Sequence, residues 1–120
     1  MKLLIVDDSN IIRRTIARYI DRGQFSDIFT AANGREAISL FQDKRPDFVT
    51  LDLTMPEIDG LECLERMLRI NDDARILVIS ALADKATAIE ALKRGAQSFL
   101  CKPFTADELN GAVSELVSEV

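Results

Sequence analysis

Apolar and polar positions fall into two alternating kinds of block along this chain. Three short apolar runs end abruptly on polar residues: Lys2-Leu3-Leu4-Ile5-Val6 on Asp7-Asp8, Phe48-Val49-Thr50-Leu51 on Asp52, and Arg75-Ile76-Leu77-Val78-Ile79 on Ser80. Another, Ser98-Phe99-Leu100-Cys101, ends at Lys102-Pro103. Unbroken runs of this length predict strands buried on both faces. The stretch from Ser26 to Ala32 is weaker and partly alternating, as expected of a strand at a sheet edge.

Between these runs the apolar period changes to that of a helix. Ser9 is placed to cap a first helix whose face is Ile12, Ile16, Tyr19 and Ile20, with Gly23 marking its end. Asn33 with Glu36 starts a second, with Ala37, Ile38 and Phe41 inward and Pro46 closing it. Asp59 with Glu62 repeats the start signal before Leu61, Leu64 and Leu68. The fourth is predicted from Ala83 to Arg94, stopped by Gly95, and the fifth opens on Thr105 with Glu108 and buries Leu109, Val113, Leu116 and Val117. Strand and helix alternate five times, which predicts a doubly wound parallel α/β sheet with helices on both faces. Right-handed crossovers then bring every strand's carboxyl end to one edge, where ligands of open sheets bind.

Composition narrows the chemistry. The 120 residues suffice for one domain, spanning 1–120, and 48% hydrophobic with 29% charged residues is ordinary for a packed fold. A net charge of -5 without a basic stripe gives this domain no footprint for direct nucleic-acid binding. No histidine is present, which excludes imidazole triads, His-ligated zinc and a histidine phosphodonor within the chain. Cys63 and Cys101 lack CxxC spacing and suit reduced thiols, and no run is long enough for a membrane span, so a cytoplasmic location without membrane insertion is expected.

The strand ends alone supply Asp7, Asp8, Asp52, Ser80 and Lys102. Converging carboxylates repel unless a cation neutralises them, and an oxygen-only cluster of few ligands suits Mg²⁺, which accepts a phosphate oxygen. Lys102 and Ser80 can neutralise phosphoryl oxygens while a carboxylate, with Asp52 the candidate, attacks phosphorus.

The chain resembles the receiver domain of two-component response regulators over essentially its whole length. The resemblance rests on Val6-Asp7-Asp8, Leu51-Asp52-Leu53-Thr54-Met55-Pro56-Glu57-Ile58-Asp59-Gly60, Ser80-Ala81 and Lys102-Pro103-Phe104, in that order and spacing. It implies a flavodoxin-like sheet of strand order 2-1-3-4-5 with five helices, and Asp52 as phosphoacceptor. It also implies Mg²⁺ held by Asp8, Asp52 and the Thr54 backbone carbonyl, with Asp7 acting through water, and phosphoryl contacts from Ser80 and Lys102. Phe99 falls at the aromatic switch position paired with Ser80, and Lys102-Pro103 where a cis peptide is usual. The implied partners are a histidine kinase or phosphotransfer protein and a downstream protein target, read by the face of the fourth helix, fifth strand and fifth helix. Thr54 and Leu82 occupy the places that shape water access to the phosphoryl group.

Other readings attach to single residues. Asp59 reads as a helix cap, Cys101 as a small buried hydrophobe, Met55 as turn packing, and Phe99 as either switch or plain core. A small Mg²⁺-dependent phosphatase of the haloacid-dehalogenase type would use similar groups, but Thr54 stands where its second acid is needed. No GxGxxG or GxxxxGK[ST] supports a nucleotide fold. Within the family, a stand-alone chemotaxis or phosphorelay regulator and a receiver cut from a longer DNA-binding regulator both remain open.

Overall fold

A computed structural model describes residues 1–55, 59–81 and 84–118. The expectations placed on Pro56, on Leu82 and on a helix start at Ala83 lie outside those residues. The elements run β1 (Lys2–Val6), α1 (Asn10–Tyr19), β2 (Asp27–Ala31), α2 (Gly34–Lys44), β3 (Phe48–Asp52), α3 (Gly60–Ile70), β4 (Arg75–Ala81), α4 (Lys85–Lys93), β5 (Ser98–Lys102) and α5 (Ala106–Ser118). All pairings are parallel and the order is β2-β1-β3-β4-β5, the predicted arrangement.

Strand alternation sorts the core into two layers. Leu3, Ile5, Phe48, Leu77 and Ile79 meet Ile16 and Ile20 of α1 and Leu109, Val113 and Leu116 of α5. On the other face Leu4, Val6, Val49, Leu51, Ile76 and Val78 meet Ala37, Phe41, Cys63, Leu64, Met67, Ala88 and Ala91. β3, central in the sheet, is buried throughout, whereas β2 and β5 are edges. No helix among the described residues is long and apolar enough to cross a membrane.

The helix starts follow local chemistry. Ser9, Asn33 and Asp59 each accept the amide three residues on, and Thr105 and Glu108 bond each other's backbone amides reciprocally. Asp59 is thus a cap, as read.

Three expectations are corrected. α1 stops at Tyr19 instead of running to Gly23, which lies in a separate 3-10 turn over Arg22–Gln24. Asn110 of α5 takes over the helix end, its amide donating to the Tyr19 carbonyl at 2.7 Å and its oxygen accepting from the Asp21 amide at 3.1 Å. In α3 the buried stripe is Gly60, Cys63, Leu64 and Met67, with Leu61 and Leu68 only partly covered. The two sulfur side chains fill the seam against α2 that leucines were expected to fill. Cys101 is half-exposed, not buried, because β5 is an edge strand.

Candidate functional site

The carboxyl edge of the sheet collects the acids. Asp7 follows β1, its amide held by the Ala31 carbonyl of β2 at 3.2 Å, and its side chain is buried. Asp52 closes β3 and is 3% exposed, while Asp8 faces solvent. One carboxylate oxygen from each of Asp7, Asp8 and Asp52 lies within 4.8 Å of the others. Such an all-oxygen cluster of three negative charges fits a hard divalent cation.

Lys102 reaches this cluster from β5. Its Nζ donates to Asp7 Oδ2 at 2.9 Å and stands 3.7 Å from Asp52 Oδ1. The other Asp7 oxygen accepts the Ser9 amide at 2.9 Å, so Asp7 is committed on both sides. Asp52 is less satisfied: its Oδ1 accepts the Thr54 amide at 3.1 Å. Burial pushes the Asp52 carboxyl up from 3.8 to about 6; the Thr54 bond and Lys102 pull it down, and Asp7 and Asp8 push it further up.

Ser80 is placed differently. It lies inside β4, which continues to Ala81, and it alternates with Ile76 and Val78 toward the α2–α4 layer. Its hydroxyl is fully buried and finds no hydrogen-bond partner among the described residues. A buried donor left unpaired costs stability unless something arrives to accept it. Phe99 in β5 pairs with Val78 in register, shares the face of Ser80, and is partly buried against that layer. The structure therefore brings Asp7, Asp8, Asp52, Thr54 and Lys102 together and leaves Ser80 and Phe99 beside them without a polar bond to the cluster. The Lys102-Pro103 peptide is cis.

Two residues join the site that sequence reasoning missed. Arg13 of α1 donates to the Asp7 carbonyl at 2.7 Å and to Asn10 Oδ1 at 3.3 Å, steadying the turn that carries Asp7 and Asp8. Its spacing of three from Asn10 was the available signal. Asp84, before α4, accepts from the Thr54 hydroxyl at 3.3 Å, and nothing local links residues so far apart in sequence. A cavity of about 370 Å³ lined by Met1, Asp47, Phe48, Asn71, Asp73 and Arg75 lies at the opposite, amino edge and shares no residue with the cluster.

Comparison with known proteins follows the geometry. A family model described as the response regulator receiver domain matches residues 3–114. The chain is 38% identical over 115 residues to the chemotaxis protein CheY of Listeria monocytogenes, covering 96% of this chain and 97% of that protein. It is 39% identical over 109 residues to the regulatory protein AtoC of Escherichia coli, covering 91% of this chain but 23% of that one. Among solved structures, the REC domain of AraT, a response regulator from Geobacillus stearothermophilus, superposes with a TM-score of 0.93 at 29% identity, covering 98% of this chain and 93% of that one.

Proposed function

Because the chain belongs to the response regulator receiver domain family, we propose that it is the phosphorylation-controlled switch of a two-component system, with Asp52 accepting a phosphoryl group from a partner histidine kinase or phosphotransfer protein. The observation that carries this reading is the convergence of Asp7, Asp8 and Asp52 within 4.8 Å, with Lys102 against two of them. A purely structural strand end has no use for three like charges in one place.

Each residue takes a role from its surroundings. Asp8 and Asp52, with the Thr54 carbonyl, would hold Mg²⁺, and Asp7, already bonded to Lys102 and Ser9, would act through water. The bound ion would supply charge neutralisation, both to the acids and to the phosphoryl oxygens. Asp52 is the nucleophile, Lys102 carries the ammonium facing the added charge, and the Ser80 hydroxyl, unpartnered among the described residues, is the donor that turns to it. Phe99, on the face of Ser80, follows that turn and alters the surface of α4, β5 and α5 that a protein target reads. The same groups assist loss of the phosphoryl group, so the domain, over residues 1–120, is a phosphoacceptor and not a turnover enzyme.

The near end-to-end match to chemotaxis protein CheY supports a cytoplasmic chemotaxis-type regulator acting on a protein target. Incubation with acetyl phosphate and Mg²⁺ should add one phosphoryl group by intact mass, and chelation of the metal should suppress the gain. An Asp52→Asn protein that gained the group equally would remove Asp52 from its role.

A further inference from the structure

The two cysteines of the chain sit in opposite surroundings. Cys63 of α3 is sealed in the seam against α2, its thiol donating to the Gly34 carbonyl at 4.0 Å, and burial pushes that thiol up to about 12. A thiol kept covered and protonated is inert. Cys101 is half-exposed on β5, an edge of the sheet, so no further strand lies on its outer side.

On its inner side Cys101 meets Ser80, its partner in the parallel register of β4 and β5. In-register neighbours project to the same face of strands about 4.8 Å apart, so the two side chains stand beside each other. Ser80 is 0% exposed, and its hydroxyl finds no hydrogen-bond partner among the described residues, the Cys101 thiol included. Thiol sulfur is a weak acceptor. A buried hydroxyl in that state gains from an added oxygen, and Cys101 is the neighbour on which a reagent from solvent can place one. Lys102, next in the chain, projects to the opposite face, toward Asp7 and Asp52, so the thiol and the carboxylate cluster lie on different faces of the sheet.

We propose that Cys101 is a peroxide-sensitive modification site whose sulfenic acid is held by the Ser80 hydroxyl. The Cys101 sulfur attacks one oxygen of hydrogen peroxide; the S–O bond forms, the O–O bond breaks, and the second oxygen leaves as water with the thiol proton. Sulfur loses two electrons and the peroxide gains them. The new oxygen accepts from Ser80. Cys63, the other cysteine of the chain, is covered, so no second thiol converts the product to a disulfide within the molecule. The modification stands on the geometry of β4 and β5. Its consequence rests on the proposed function: a Ser80 hydroxyl engaged by Cys101 is withheld from the phosphoryl group on Asp52, so peroxide opposes phosphorylation.

The test is peptide mass mapping of protein exposed to dilute hydrogen peroxide and then to dimedone, which tags sulfenic acid and not oxidised methionine. The tag should fall on Cys101 and not on Cys63. In Ser80→Ala, with dimedone added after a delay, the fraction still open to tagging should decay about fivefold faster, the factor for one net hydrogen bond. No tag on Cys101, or an equal tag on Cys63, would overturn the site, and an unchanged decay in Ser80→Ala would overturn the part given to Ser80. In a second arm, peroxide-treated wild type should take phosphoryl from acetyl phosphate and Mg²⁺ about tenfold more slowly than untreated protein, the factor for a hydrogen bond to a charged group. Dithiothreitol should restore the rate, and Cys101→Ala treated in the same way should keep its own. Equal slowing in Cys101→Ala, or full-rate uptake by oxidised wild type, would overturn the antagonism and leave the proposed function intact. If untreated protein takes up no phosphoryl group, the proposed function falls, and the dimedone arm still decides the modification.

Discussion

The two edges of the central sheet treat their polar groups in opposite ways. At the amino edge they are paired: the Lys2 amide donates to Asp47 Oδ2 at 2.9 Å, the Asp47 amide to the Lys2 carbonyl at 3.0 Å, and the Arg75 amide to the Asp47 carbonyl at 3.0 Å. The Ser26 amide adds a bond to the Met1 carbonyl at 2.8 Å. At the carboxyl edge three carboxylates crowd together, the Asp52 carboxyl is pushed up to about 6, and the Ser80 hydroxyl is enclosed without a partner among the described residues. One edge closes the sheet; the other keeps groups whose best partners are not the protein. Functional positions are where a fold tolerates such local conflict, because its stability comes from elsewhere.

The carboxyl edge is conflicted in charge but rigid in backbone, and Gly60 tests the rigidity. A Cβ there would lie 2.4 Å from the Leu53 Cα, 2.8 Å from the Leu53 oxygen and 2.9 Å from the Asp52 oxygen. Those are backbone atoms and cannot swing aside as a flexible side chain can. Gly60→Ala should cost about 3 kcal/mol or more in urea unfolding, at the upper end of overpacking effects. A loss below about 1 kcal/mol would show that the start of α3 slides freely, and the rigid half of the description would fail.

Asp52 tests the charge. Its carboxyl is raised in the folded state from 3.8 to about 6, so between those values the folded protein binds a proton that the unfolded chain has released. Stability from this group therefore falls as pH rises through that window, and above about 6 the full penalty is present. A rise of that size corresponds to about 3 kcal/mol. Asp52→Asn should raise stability at pH 7.5 by an amount of that order and flatten the pH dependence between about 4 and 6. Chemical denaturation across that range reads both effects. An Asn variant less stable than wild type at pH 7.5 would mean that Lys102 and Thr54 more than offset burial.

What the sequence made legible follows the same division between local and distant causes. Caps at Ser9, Asn33, Asp59 and Thr105 are contacts over three residues, and a reader of the chain can place them. The convergence of Asp7, Asp8, Asp52 and Lys102 was legible because parallel topology forces strand ends onto one edge. The early end of α1 was not, since it depends on Asn110, separated from Asp21 by 89 residues. Nor was the bond from the Thr54 hydroxyl to Asp84, 30 residues away. The seam of Cys63 and Met67 escaped notice for another reason: thioether and thiol side chains pack as hydrophobes, and burial pushes the Cys63 thiol up to about 12.

The smallest effect belongs to the amino edge, and its sign matters more than its size. Asp47 is exposed, and among the described residues its side chain accepts a bond from the Lys2 amide. Asp47→Ala should therefore lower stability by about 1 kcal/mol, the usual net worth of a hydrogen bond. Phosphoryl uptake from acetyl phosphate should be unchanged, because the backbone bonds of Asp47 to Lys2 and Arg75 remain and the carboxylate cluster lies at the other end of the strands. Loss of an acid at one edge would then destabilise without touching the chemistry, while loss of Asp52 at the other stabilises and abolishes it. Should both substitutions shift stability in the same direction, the two edges would not differ in kind, and the crowding at the carboxyl edge would be no more than a second way of closing the sheet.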